Sequence, residues 1–97
     1  MRSIHWNSLA KLDYYETIDY LLFKWNDKVA QDFIDLVAET EFILKTGKVD
    51  FRETDIKGVR CYVVCKQITL FYKIVDEYNI EFLRFWNNSK DKSKIKF

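Results

Sequence analysis

Between Gly58 and Trp86 the chain reads GVRCYVVCKQITLFYKIVDEYNIEFLRFW, three β-patterned segments separated only by short polar breaks. β-branched and aromatic side chains dominate all three, as a pleated, half-buried surface requires. Breaks this short admit hairpins and leave no room for a crossover helix, so the three segments form an antiparallel meander. Everything before Gly58 reads as one short strand and two helices. The order β-α-α-β-β-β therefore predicts an α+β domain: a four-stranded antiparallel sheet with an N-terminal helical hairpin on one face. The opposite face is left to meet a partner.

At 97 residues, 48% hydrophobic and 18% aromatic, the chain suits one domain spanning 1–97 with a substantial core. Proline is absent and glycine occurs only at Gly47 and Gly58, so no linker or low-complexity tract divides it. No run approaches the roughly 20 apolar residues of a membrane span. Met1-Arg2 leads into Ser-Ile-His-Trp rather than an apolar signal core, which predicts a cytoplasmic protein. Cys61 and Cys65, four apart on one strand, read as buried thiols on a shared face, too distant for a mutual disulfide. With His5 the only histidine, no metal-ligand spacing is present and no cofactor is expected.

Arg2 to Trp6 alternates, with Ile4 and Trp6 on one side and Ser3 and His5 on the other. Asn7 is placed to cap a helix running to about Trp25, whose apolar stripe is Tyr14, Ile18, Leu21 and Trp25, flanked by Tyr15 and Leu22. Asp13 falls mostly away from that stripe. Asn26 caps a second helix with Val29, Phe33, Leu36, Val37, Thr40, Ile43 and Leu44 facing the core, and Gly47 stops it. Lys48 to Lys57 is unpatterned and reads as a loop. In the next strand Val59, Cys61, Val63 and Cys65 form the apolar face, with Arg60, Tyr62, Val64 and Lys66 opposite. Leu70, Tyr72 and Ile74 oppose Thr69, Phe71, Lys73 and Val75 in the following strand. Ile80 to Trp86 is apolar on both faces, and its orientation stays open. Residues 87–97, NNSKDKSKIKF, form a polar, basic tail that either frays or docks through Ile95 and Phe97.

Charge divides unevenly along the chain. Residues 1–56 hold seven Lys/Arg and eleven Asp/Glu, a balance of −4, whereas residues 57–97 hold nine and four, a balance of +5. A positive sheet and tail would favour a polyanion or an acidic protein.

Several segments together resemble the RelE/ParE superfamily of toxins from bacterial type II toxin–antitoxin systems, over essentially the whole chain. They are Trp6 followed by Asn7-Ser8-Leu9-Ala10, the junction Trp25-Asn26-Asp27-Lys28-Val29-Ala30, Gly58-Val59-Arg60, Leu70-Phe71-Tyr72-Lys73, Ile80-Glu81-Phe82-Leu83-Arg84, and the terminal Lys94-Ile95-Lys96-Phe97. The resemblance implies a compact toxin neutralised by a cognate antitoxin in a hetero-oligomer. Its target would be DNA gyrase, as for ParE-like members, or the ribosome and its mRNA, as for RelE-like endonucleases. Cleaving RNA through its own 2′-hydroxyl needs a base, cations on the phosphorane-like transition state, and an acid for the leaving oxygen. RelE-like enzymes meet this with Lys and Arg on the sheet face and a Tyr or His near the C-terminus. Here Thr69 stands where an arginine is expected, Val64 replaces one of two lysines, and Asn87, Asn88 and Ser89 follow the last strand where many relatives carry an arginine.

That incomplete set favours ParE-like target binding through the basic sheet face, with a decayed toxin that keeps only antitoxin binding as a further alternative. The nuclease candidates are Arg60, Lys66, Lys73, Tyr62 and His5, all expected on the open face. The binding candidates are Arg60, Lys66, Lys73, Arg84, Trp86 and Lys90. Two of these have structural readings as well: Arg60 is placed to brace the 48–57 loop through Asp50, Glu53 or Asp55, and Arg84 to pair with a carboxylate or a backbone carbonyl.

Overall fold

The computed structural model describes residues 1–97. Strand β1 (Ser3–Trp6) leads through Asn7 into α1 (Ser8–Lys24). The Asn7 side chain accepts the Ala10 N–H at 2.8 Å, filling one of the orphan donors of the first turn. Asn26 repeats the device for α2 (Asp27–Thr46), accepting from Val29 N–H at 3.0 Å. Gly47 ends α2 at φ 74°, the left-handed conformation a C-terminal cap needs. Arg2 then reaches across from the start of β1 and donates to the Leu44 carbonyl at 2.8 Å, so the two chain segments are stapled together.

Strands β2 (Arg52–Glu53), β3 (Val59–Cys65), β4 (Ile68–Asp76) and β5 (Asn79–Asn87) complete a five-stranded sheet in the order β1-β5-β4-β3-β2. The meander is antiparallel as expected. Two features differ from the sequence expectation. Arg52–Glu53, inside the segment read as loop, pairs with Arg60 and Cys61 as a fifth strand. β1 lies parallel to β5, Ser3 opposite Asn79 and Trp6 opposite Phe82, which makes the sheet mixed. None of the helices is long and apolar enough to cross a membrane.

The main core lies between the hairpin and the sheet. Phe33, Val37 and Leu44 of α2 and Ala10 and Leu21 of α1 pack on Val64, Ile68, Leu70, Tyr72, Ile80, Phe82 and Phe85. A second, smaller cluster occupies the far face: Val59, Cys61, Phe71, Leu83 and Trp86, with Ile95 packed against it. This reverses the expected facing of β3. Tyr62 and Val64 turn to the helices, and Val59 and Cys61 turn away. Alternation could not choose between the sides because both are buried. A register shift between Val63 and Cys65 then puts Cys65 back on the helix side, so the two thiols do not share a face.

Helix α1 is also rotated from the expected stripe. Tyr14, Ile18 and Leu21 contact the core, but Trp25, Tyr15 and Leu22 are exposed and Asp13 is buried. Trp25 has left the helical phase at the C-cap. Asp13 is drawn inward by a partner on β5, described next.

Candidate functional site

The far face of the sheet is not open. After β5 the chain turns at Asn87–Lys90, forms a short 3₁₀ turn (Lys92–Lys94) and lays Ile95 and Phe97 over the second cluster. The Phe97 and Phe71 rings meet at 5.6 Å, and the Lys96 carbonyl accepts from Arg84 Nη1 at 2.8 Å. Of the two fates open to the tail, docking is the one adopted. The resulting surface has an apolar floor and a fringe of exposed lysines: Lys90, Lys92, Lys94 and Lys96. Trp86 sits between two cations, Arg84 at 5.3 Å and Lys90 at 5.8 Å from its ring centre. Beside it an open cleft of about 410 Å³ runs past Arg52, Cys61, Phe71 and Lys92.

The five nuclease candidates do not assemble. Register places Arg60 opposite Tyr72 on the helix side and Lys73 opposite Val59 on the far side, so these two cations point to opposite faces. Arg60 is spent on structure, donating to the Phe51 carbonyl at 2.7 Å and meeting Glu53 at 3.3 Å, the loop-bracing role its sequence position allowed. Tyr62 stacks on Phe51 at 4.0 Å, beneath the helical layer rather than on the far face. Lys66 is exposed at the tip of the β3–β4 hairpin. On the far face Lys73 meets Glu81 at 3.2 Å, and Glu81 neighbours His5 across the β1–β5 pair. His5 itself bonds Asn79 Oδ1 at 2.9 Å. The expected convergence of Arg60, Lys66 and Lys73 is thus corrected: strand alternation and the inverted phase of β3 send them three ways.

Two of the positions at which the RelE-like resemblance led to an expected cation, Thr69 and Asn88, form a neutral latch. The buried Thr69 hydroxyl donates to Asn88 Oδ1 at 2.7 Å, and the Asn88 amide donates to the Lys66 carbonyl at 3.1 Å. Thr69 and Asn88 are mutually satisfied, and neither contributes charge.

Sequence reasoning missed the acids that organise this region. Asp13, buried on α1, accepts from Arg84 Nε at 2.6 Å and Nη2 at 2.9 Å, and from the Phe85 backbone N–H at 3.1 Å. β1 covers β5 only as far as Phe82. Asp13 therefore supplies the acceptor that a longer edge strand would have given Phe85. Hydrogen bonding to Asp13 is also the leading cause that holds the Arg84 guanidinium above its usual range. The carboxylate partner expected of Arg84 is present, but nothing local to either segment names it, since 71 positions separate the two residues.

Known proteins share this architecture. A chromosomal ParDE toxin–antitoxin system from P. aeruginosa superposes with a TM-score of 0.72 at 18% identity, over 90% of this chain and 96% of that one. A copper-bound mutant toxin from Helicobacter pylori gives 0.63 at 17% identity, over 92% and 97%. The E. coli DinJ–YafQ complex gives 0.61 at 14% identity, over 92% and 96%. These establish the fold. No curated protein matches by sequence. The family model described as "ParE toxin of type II toxin-antitoxin system, parDE" matches residues 4–92, nearly the whole of the sheet and hairpin. The chain therefore belongs to the ParE toxin family of type II toxin–antitoxin systems.

Proposed function

We propose that the chain arrests growth in the cytoplasm by binding its target, DNA gyrase, and is held inactive by a cognate antitoxin. The observation that carries this reading is the Thr69–Asn88 latch: a neutral hydrogen bond stands where RNA cleavage would need cations. The other cations point the same way. Arg60, Lys73 and Arg84 each lie in an ion pair with Glu53, Glu81 or Asp13, and they do not share a face. Four exposed tail lysines laid over a buried apolar cluster form a surface suited to attracting a large acidic partner. The family supplies the identity of that partner by resemblance to ParE.

Inducing the chain alone in bacteria should stop growth, and co-inducing the antitoxin should restore it. Purified chain should inhibit supercoiling by gyrase and leave mRNA intact in a cell-free translation reaction followed by primer extension. Discrete mRNA cuts with unimpaired supercoiling would replace this reading with the endonuclease. Normal growth at confirmed expression would identify a decayed toxin.

A further inference from the structure

Three threonines are buried, and two of them spend their hydroxyls inside the fold: Thr40 donates to the Leu36 carbonyl at 2.7 Å, and Thr69 to Asn88 Oδ1 at 2.7 Å. Thr17 is the exception. It lies among the buried residues of α1 at 8% exposure, yet its hydroxyl makes no hydrogen bond within the chain. A helical threonine can return its hydroxyl to the carbonyl one turn back, as Thr40 does, and Thr17 does not. No fully occluded side-chain polar atom in the structure lacks a partner, so the Thr17 hydroxyl is open to the space its residue lines. That space is a cleft of about 330 Å³ between α1 and the end of β5. It falls within the roughly 300–1,000 Å³ of small-molecule sites. A polar group buried without a partner carries a desolvation cost that a ligand supplying the missing bond removes.

The two walls of the cleft differ in sign. The α1 wall offers acceptors: the Glu16 carboxylate, exposed and with no cation within ion-pair distance, and the hydroxyl oxygens of Thr17 and Tyr20. The wall from β5 and the tail turn offers donors. Lys90 has no carboxylate within ion-pair distance, and its ammonium stands 5.8 Å from the centre of the Trp86 ring. Asn87 Oδ1 is already taken by the Ser89 N–H at 2.9 Å and the Ser89 hydroxyl at 2.7 Å, which leaves Nδ2 as the free end of that amide. The apolar lining is entirely aromatic, from Tyr20, Phe85 and Trp86. Asp13 and Arg84 also border the cleft, but they neutralise each other, and Asp13 is saturated by three donors. The uncompensated charges are therefore one anion and one cation on different walls. A simple anion would be repelled by Glu16 and a simple amine by Lys90, whereas a molecule carrying both charges meets neither penalty.

We propose that this cleft binds a small zwitterion of the amino-acid or dipeptide class. Its ammonium is held by Glu16, Thr17 and Tyr20, its carboxylate by Lys90 and Asn87, and its apolar side chain lies along Phe85 and Trp86. Bound there, it joins α1 to the turn that opens the tail. The inference does not rest on how the chain arrests growth or on what neutralises it.

The test titrates the purified full chain with L-phenylalanine and with the dipeptide alanyl-phenylalanine, read by calorimetry and ligand-observed NMR. Saturable, single-site binding with Kd below about 1 mM is expected of at least one, the tighter of them naming the source. Phenethylamine lacks the carboxylate and hydrocinnamate lacks the ammonium. Each should bind at least about tenfold more weakly, because each leaves one charged wall without its partner. Glu16→Gln should weaken the zwitterion at least about fivefold and spare hydrocinnamate, whereas Lys90→Gln should weaken it as much and spare phenethylamine. Thr17→Val should weaken it about fivefold without lowering Tm, since that hydroxyl bonds nothing in the fold. No saturable binding of either probe up to about 10 mM overturns the proposal. Hydrocinnamate or inorganic phosphate binding as tightly as the zwitterion also overturns it, by making the cleft a plain anion site. So does zwitterion binding that all three folded variants retain within about twofold of wild type.

Discussion

Removing the Asp13 carboxylate should be among the most damaging single changes in this chain that leave every apolar core residue in place. Asp13 accepts three hydrogen bonds, two from Arg84 and one from the Phe85 N–H, and the two side chains of the ion pair are only 10% and 16% exposed. Breaking a buried pair by deleting one partner costs about 3–5 kcal/mol, because the surviving charge is left desolvated. Arg84 keeps the Lys96 carbonyl and the face of Trp86, which offsets part of that loss. The Phe85 N–H has no such second partner, and an orphaned buried donor costs about 1–3 kcal/mol. Asp13→Ala is therefore expected to lose about 3 kcal/mol, a large share of the roughly 5–15 kcal/mol that holds a domain of this size. In urea, with a slope of about 1.5 kcal/mol per M, the midpoint should fall by about 2 M. A double-mutant cycle with Arg84→Ala isolates the pair. Coupling of about 2 kcal/mol is expected, whereas additivity within about 0.5 kcal/mol would refute the claim that this bond organises the β5 edge.

Tyr72→Phe should cost about 1–2 kcal/mol at neutral pH, because the Tyr72 hydroxyl accepts the Phe51 N–H at 2.9 Å and nothing replaces it. Burial, the leading cause, raises the Tyr72 pKa, so wild-type stability should decline as pH climbs above about 10 and this decline should shrink in the variant, read by thermal melts along an alkaline series. Asp76 behaves oppositely: the Tyr78 N–H and then the Asn79 amide hold its carboxyl below the usual range, so its stabilisation is present above about pH 4 and lost as pH falls through the folded pKa. The difference in Tm between wild type and Asp76→Ala should therefore be largest near neutrality and close in acid. Gly47→Ala should cost about 1 kcal/mol in urea unfolding from its φ of 74° alone, since a Cβ there would meet only Arg2 Nε at an ordinary 3.7 Å.

Features carried by local chemistry were legible in the sequence. Asn7 and Asn26 cap their helices, Gly47 ends the second, and the α2 stripe of Phe33, Val37, Thr40 and Leu44 faces the core. Features set by distant partners were not. The two-residue strand Arg52–Glu53 is too short and too charged to show a period, and it exists because β3 offers it an edge. The parallel pairing of Ser3 with Asn79 and the Asp13–Arg84 bond join segments more than 70 positions apart, beyond the reach of any periodicity. The phase of β3 failed for a different reason. Alternation identifies a strand, but it orients one only when a single face is buried, and here the tail makes the second face apolar too.

That second buried face explains why a chain with 16 basic residues has so little free positive charge on its sheet. Once Ile95 and Phe97 lie over the cluster of Phe71, Leu83 and Trp86, the centre of the far face becomes interior, and cations beside it must find acceptors or lie at its margin. Lys73 takes Glu81 and Arg84 takes Asp13, while Lys66 lies at the β3–β4 hairpin tip and Lys90, Lys92, Lys94 and Lys96 lie on the tail. A catalytic site for RNA needs cations that are both preorganised and unpaired at the moment of reaction. Lys73 and Arg84, which the sheet orients, are already paired, whereas Lys66 at the hairpin tip and the four tail lysines are exposed with no carboxylate within ion-pair distance. Attraction of a large acidic surface tolerates that arrangement, because steering depends on the summed field and not on the placement of any one group. On the proposal of target binding, this distribution of charge is the one expected, independently of any single residue.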